Sequence, residues 1–303
     1  MQGISVELNE LIDLRRFASK PQYKPKGQGV RSGAWQSVIR GRGMDFAEVR
    51  NYQAGDEVRH MEWRVTARTG KPHVKLYQEE RERPVILLTD FNPSMYFGTR
   101  IAFKSVIAAR LAALIAWTAI KEGDRVGGLI FSGQKHQEYL PRGREYGVLP
   151  YLSGLCEYSQ QKPAILDDTT PLSAMLMRSR RVIRPGSTLV IISDCYQLDS
   201  DSERHLRRLA QHNLVLLYHI CDPLELEPPP PATYALTNGK EELALNTQQA
   251  SVQKIWQQDC QMRLNRVTEI CKQLLIQTIT VSSEDDLALL VAQTFPRRQH
   301  GAI

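Results

Sequence analysis

Five short runs, 85–89, 126–131, 188–193, 214–220 and 277–281, contain no Asp, Glu, Lys or Arg, and most are rich in Val, Ile and Leu. A strand with one wet face alternates apolar with polar side chains, whereas a strand covered on both faces reads as an unbroken apolar run. Between these runs lie segments of helical length, at 101–121, 144–159, 172–180, 202–212, 251–275 and 284–294. Strand and helix in alternation predict an α/β fold, a mostly parallel sheet flanked by helices on both faces. The segment 101–121 is apolar nearly all round and Ala-rich, so it is expected to be the most buried helix. A further run, 136–140, is expected to be an edge strand.

The remainder reads differently. Between Ser32 and Glu80, stretches such as FAEVRNY and HVKLYQEE alternate polar with apolar residues around Gly-rich turns, which predicts a smaller β-rich appendage. The expected division is 1–83 for a helix plus appendage and 84–296 for the α/β domain. The first twenty residues interleave acids and bases and lack the apolar core of a secretory signal; they read as a short surface helix. The four prolines 228–231 exclude helix and central strand and are expected to form a surface loop.

The chemistry concentrates behind the first buried strand. Asp90-Phe-Asn92-Pro-Ser94 places three oxygen-bearing side chains at alternating positions at a strand's carboxyl end, where open α/β sheets bind ligands. Phe91 and Pro93 can then point away while the three oxygens face one concavity. Thr170, ahead of a helix, and Asp194, at the end of the 188–193 run, are positions the topology brings alongside. Carboxylate, amide and hydroxyl oxygens together suit a hard cation.

These residues resemble the metal-ion-dependent adhesion site of von Willebrand factor A domains, in which Asp-x-Ser-x-Ser is followed by a Thr two residues before a Leu and then by a strand-end Asp. The resemblance implies Mg2+, with Mn2+ or Ca2+ as substitutes, held by Asp90, Asn92, Ser94, Thr170 and Asp194; Asn92 stands where the pattern has Ser. A second stretch, from Gly41-Arg-Gly43-Met-Asp45-Phe46 through Arg50, Tyr52, Gly55-Asp56, Arg59 and Trp63 to Ala67-Arg68-Thr69-Gly70-Lys71 and Glu79-Glu80-Arg81, resembles the signature of the domain of unknown function 58 family. Cys221-Asp222-Pro223-Leu224-Glu225 resembles another family segment. That likeness implies a von Willebrand factor A-like domain behind the signature and a non-catalytic adaptor, working with a MoxR-type AAA+ ATPase on a client protein. The charged signature itself is expected to form ion pairs and Arg-aromatic contacts between the appendage and the main domain, with a partner-docking surface as the alternative.

Other classes find less support. Lys plus Arg number 39 against 33 acids, a surplus of +6 spread along the chain, so nucleic acid is not the expected partner although basic runs such as 178–181 keep it as an alternative. A metal-dependent phosphatase or nuclease is the other alternative, weakened because Asn92 cannot deliver a proton as a second acid would. No Gly-Lys-Ser/Thr phosphate loop, HExxH pair or GxSxG elbow occurs. The charge-free stretch 111–120 is half the ~20 residues of a membrane span, and five scattered cysteines suggest no disulfide framework, so no transmembrane segment and a cytoplasmic location are expected.

Overall fold

The structure is a computed structural model that describes residues 3–18, 44–53, 55–79, 83–133, 135–161, 170–227, 229–237 and 242–296. In chain order its elements are α1 (Leu8–Asp13), β1 (Met44–Asn51), α2 (Trp63–Thr69), β2 (His73–Glu79), β3 (Pro84–Asp90), α3 (Lys104–Lys121), β4 (Arg125–Ser132), β5 (Lys135–Arg142), α4 (Glu145–Gln160) and α5 (Leu172–Ser179). They continue with β6 (Thr188–Ser193), α6 (Ser200–Ala210), β7 (Leu214–Cys221), α7 (Pro223–Leu226), β8 (Thr233–Thr237), β9 (Glu242–Asn246), α8 (Ala250–Gln273), β10 (Gln277–Ser282) and α9 (Leu287–Thr294).

The chain forms two compact units, Met1–Lys24 with Arg83–Ile303, and Pro25–Glu82. This differs from a simple division at 83, because the first helix belongs to the larger unit. Val6 and Leu11 are fully buried there, and Trp117 donates its indole N–H to the Leu11 carbonyl at 2.9 Å. An amphipathic segment that buries two apolar side chains gains more by covering α3 than by lying free in water.

In the larger unit the sheet order is β10-β7-β6-β3-β4-β5, parallel throughout except for the antiparallel edge β5. Alternating strand residues feed two cores. Val85 and Leu87 pack with α1, α3, α4 and α9; Ile86 and Leu88 pack with α5, α6 and α8. That two-sided burial explains the unbroken apolar runs. Helix α3 is buried along almost its whole length, as its composition predicts. Alanines at 108, 109, 112, 113, 116 and 119 let its neighbours approach closely, while Leu111 and Ile115 fill the layer. Truncating such a fully buried Leu costs about 2 to 5 kcal/mol.

Gly128 of β4 serves a neighbouring contact. A Cβ there would sit 2.5 Å from Tyr151 Cε2 and 2.8 Å from the Leu87 carbonyl oxygen. Its absence lets the Tyr151 ring lie on the sheet, with its hydroxyl 2.5 Å from Thr89 Oγ1, one residue before the strand end.

The smaller unit is mixed. Strands β1 and β2 pair antiparallel beside α2, which Gly70 ends in a left-handed conformation at φ 71°. Arg50 makes two hydrogen bonds to Asp56, at 2.7 and 2.9 Å, and Lys75 pairs with Glu62. Both ion pairs lie within this unit; Gly41, Gly43, Glu80 and Arg81 lie outside the described residues. The β8–β9 hairpin after the proline run was not expected from the sequence. Among the described residues no helix is long and apolar enough to cross a membrane.

Candidate functional site

The chain runs from β3 through α3 to β4 on one side, then returns to β6 on the other side of β3. The carboxyl ends of β3 and β6 therefore diverge into loops going opposite ways, which opens a crevice between them. Asp90 is the last residue of β3 and Asp194 follows the last residue of β6. The parallel register sets Thr89 against Ile192, so the two carboxylates arrive at neighbouring strand ends by strand pairing alone.

Asp90 is 3% exposed. One of its oxygens accepts the Asn92 backbone N–H at 2.8 Å, and the other accepts the Ser193 hydroxyl at 2.7 Å. Among the described residues no basic side chain hydrogen-bonds to it. Burial, reinforced by the nearby Asp194 charge, pushes its carboxyl up to about 7.

Asn92 is the N-cap of the short turn Pro93–Tyr96 and is 1% exposed. Its side-chain oxygen accepts backbone N–H groups from Gly133 at 3.2 Å and Thr170 at 3.1 Å, and its amide donates to the Thr170 carbonyl at 3.0 Å. An amide suits this position because it is donor and acceptor at once, which Ser could not match in reach. Asn92 thus ties the loop after β3 to those before α5 and after β4, and its oxygen is already committed to two donors.

Ser94 lies in the same turn, near enough to Asp194 to favour its ionised form. Thr170, two residues before α5, is brought beside Asn92 by the bonds above and is 9% exposed. Asp194 accepts the Tyr196 N–H at 3.1 Å on one oxygen and the Lys104 ammonium at 2.8 Å on the other. Burial opposes its ionisation, but Lys104, the Tyr196 N–H and Ser94 hold its carboxyl below the usual range. Strand pairing and the Asn92 hydrogen bonds bring Asp90, Asn92, Thr170 and Asp194 to the ends of β3 and β6, with Ser94 in the turn that Asn92 caps.

Residues that sequence reasoning did not single out complete the surroundings. Lys104, Ser193, His219 and Glu225 all touch this network. The signal for Lys104 was its place, a cation opening an otherwise apolar helix, where the helix dipole disfavours positive charge. Beside Asp194 lies a cavity of about 70 Å3, lined by Tyr196, His219, Glu225, Cys260 and Arg263 among others. Burial holds the His219 ring below its ordinary pKa, and its Nε2 lies 3.1 Å from the Asp194 carbonyl oxygen.

Among proteins of known sequence, the uncharacterized protein Rv1480 of Mycobacterium tuberculosis is 33% identical over 206 residues, covering 68% of this chain and 64% of its own length. The match thus spans less than two thirds of that relative. Among solved structures, BatB from Bacteroides thetaiotaomicron aligns at TM-score 0.44 and 15% identity over 69% of this chain and 95% of its own. A von Willebrand factor type A protein from Catenulispora acidiphila aligns at TM-score 0.39 and 12% identity, over 73% and 42%. The larger unit is an α/β domain, a mostly parallel sheet flanked by helices. The protein-family model described as "Protein of unknown function DUF58" matches residues 48–265, and since that is most of the chain, the protein is a member of the DUF58 family.

Proposed function

We propose that this protein is a non-catalytic interaction module whose docking face is the crevice at the ends of β3 and β6. The observation that carries the reading is the state of Asp90: a buried carboxylate beside a second one, bonded to a hydroxyl and an N–H and, among the described residues, to no cationic side chain. Such a group wants a cation from outside. Asp90, Ser94, Thr170 and Asp194 are the residues that would hold Mg2+, with Asn92 organising the loops around them. The ion would supply a positive centre with an incomplete oxygen shell, to which a partner's carboxylate can bind. The cavity beside Asp194 gives a neighbouring partner side chain somewhere to go.

The partner class in this reading is a MoxR-type AAA+ ATPase, with a client protein to assemble or mature, in the cytoplasm. The test is retention of partners from a native lysate by the wild-type protein and by Asp90→Ala, each with Mg2+ and with chelator, after circular dichroism shows both folded. An AAA+ ATPase retained only by wild type in Mg2+ is the expected result. Retention indifferent to both metal and mutation would sink the reading.

A further inference from the structure

Lys104 is the first residue of α3 and its side chain is 3% exposed. Positive charge at a helix N-terminus is disfavoured, and a buried ammonium is costly unless closely paired. Both penalties are met locally. The ammonium donates to Asp194 at 2.8 Å and to the two Glu225 oxygens at 3.0 and 3.2 Å, with the Phe97 ring 5.9 Å away.

Glu225 is itself fixed. Its second oxygen accepts the Asp222 N–H at 2.8 Å in a capping box on α7. Asp222 in turn accepts the Thr99 N–H at 2.9 Å and the Thr99 hydroxyl at 2.6 Å, so the turn is latched to the loop that leads into Lys104. Trp256 of α8 closes the turn from outside by donating to the Leu224 carbonyl. The result is a chain of contacts from Asp194 through Lys104 to the Cys221–Glu225 segment, which gives that segment a role at the crevice.

We propose that Lys104 is a built-in competitor of the divalent ion for Asp194, held in place by Glu225, and that this pair sets the ion affinity of the crevice. The inference rests on the ion-site reading above. An ion drawing on Asp194 meets an ammonium hydrogen-bonded to the same carboxylate, and like charges at such range in a buried site repel strongly. Lys104 therefore keeps the affinity for a bare ion low. A partner carboxylate restores the charge balance, so ion and partner bind together more readily than either alone.

The test is calorimetric titration of Mn2+ into wild type, Lys104→Met and the double variant Lys104→Met with Glu225→Gln, each checked for folding by circular dichroism. The double variant loses a buried negative charge with the positive one and carries the test if the single variant does not fold. Removing the ammonium is expected to tighten Mn2+ binding about tenfold or more, with a smaller gain in the double variant. Unchanged affinity in the folded variants would overturn the role of Lys104 and leave the ion site standing. Absence of binding in wild type and in every folded variant would remove the ion site, and this inference with it.

Discussion

The ends of β3 and β6 place two aspartates on adjacent parallel strands, offset by one residue, yet the two live in opposite electrostatic settings. Asp194 is matched by an ammonium at 2.8 Å and is held ionised; Asp90, among the described residues, is matched by a hydroxyl and a backbone N–H and is pushed towards neutrality. Burial alone does not decide the charge of a strand-end carboxylate. The donor that the neighbouring loop delivers does, and here α3 delivers its cation to one end only.

The sharpest way to break this contrast is Asp194→Ala, which leaves the buried Lys104 with Glu225 alone. Removing one partner of a buried pair costs about 3 to 5 kcal/mol, so urea unfolding should show a loss of that order, while the conservative Asp194→Asn loses less. A stability unchanged by Asp194→Ala would mean that Glu225 suffices. Next in size is Asn92→Ala, which strips partners from the Gly133 and Thr170 N–H groups and the Thr170 carbonyl. Leaving buried backbone groups unpaired costs about 1 to 3 kcal/mol, read as a lowered midpoint in the same experiment.

The smallest effect is on pH dependence. An acid whose folded pKa is raised holds a proton in the folded state that the unfolded chain has released, so its contribution is fully present below the unfolded pKa and is lost as pH rises from there through the folded pKa. With Asp90 at about 7 against an ordinary 3.8, stability in chelator should fall as pH rises from 6 to 8, by on the order of 1 kcal/mol. Asp194 is depressed instead, and its contribution is lost only in acid, as pH falls through its folded pKa. Unfolding curves at the two pH values check the slope, which Asp90→Asn should flatten.

The sheet was legible because burial on both faces writes itself into a strand as an apolar run, and the four inner strands of the larger sheet lie where such runs do; the edges β10 and β5 fall on the runs 277–281 and 136–140. The β8–β9 hairpin was not, although Asn238-Gly239 between its strands is a turn pair that favours hairpins. Its strands are short and follow the prolines, which dominate the local reading. At the crevice, Asp90 and Asp194 were legible from strand-end position. The employment of Asn92 was not, because residue type announces donors and acceptors but not their partners. Lys104 was hidden for a related reason, since a lysine opening a helix usually reaches solvent, and only three-dimensional packing shows that this one turns inward. The placement of the first helix was missed because six residues with one buried Leu carry too little periodicity to reveal what they cover.

The larger unit is discontinuous along the chain, with Pro25–Glu82 inserted between its two parts. This has a consequence for the order of assembly during synthesis. Leu11 emerges from the ribosome about a hundred residues before Trp117, the side chain it must meet. At roughly 5 to 20 residues per second, the first helix waits on the order of ten seconds with its apolar face uncovered. The inserted unit draws its described contacts from a much shorter sequence span, so it is able to form first, and the loop it closes shortens the effective distance over which α1 must search for its place on α3.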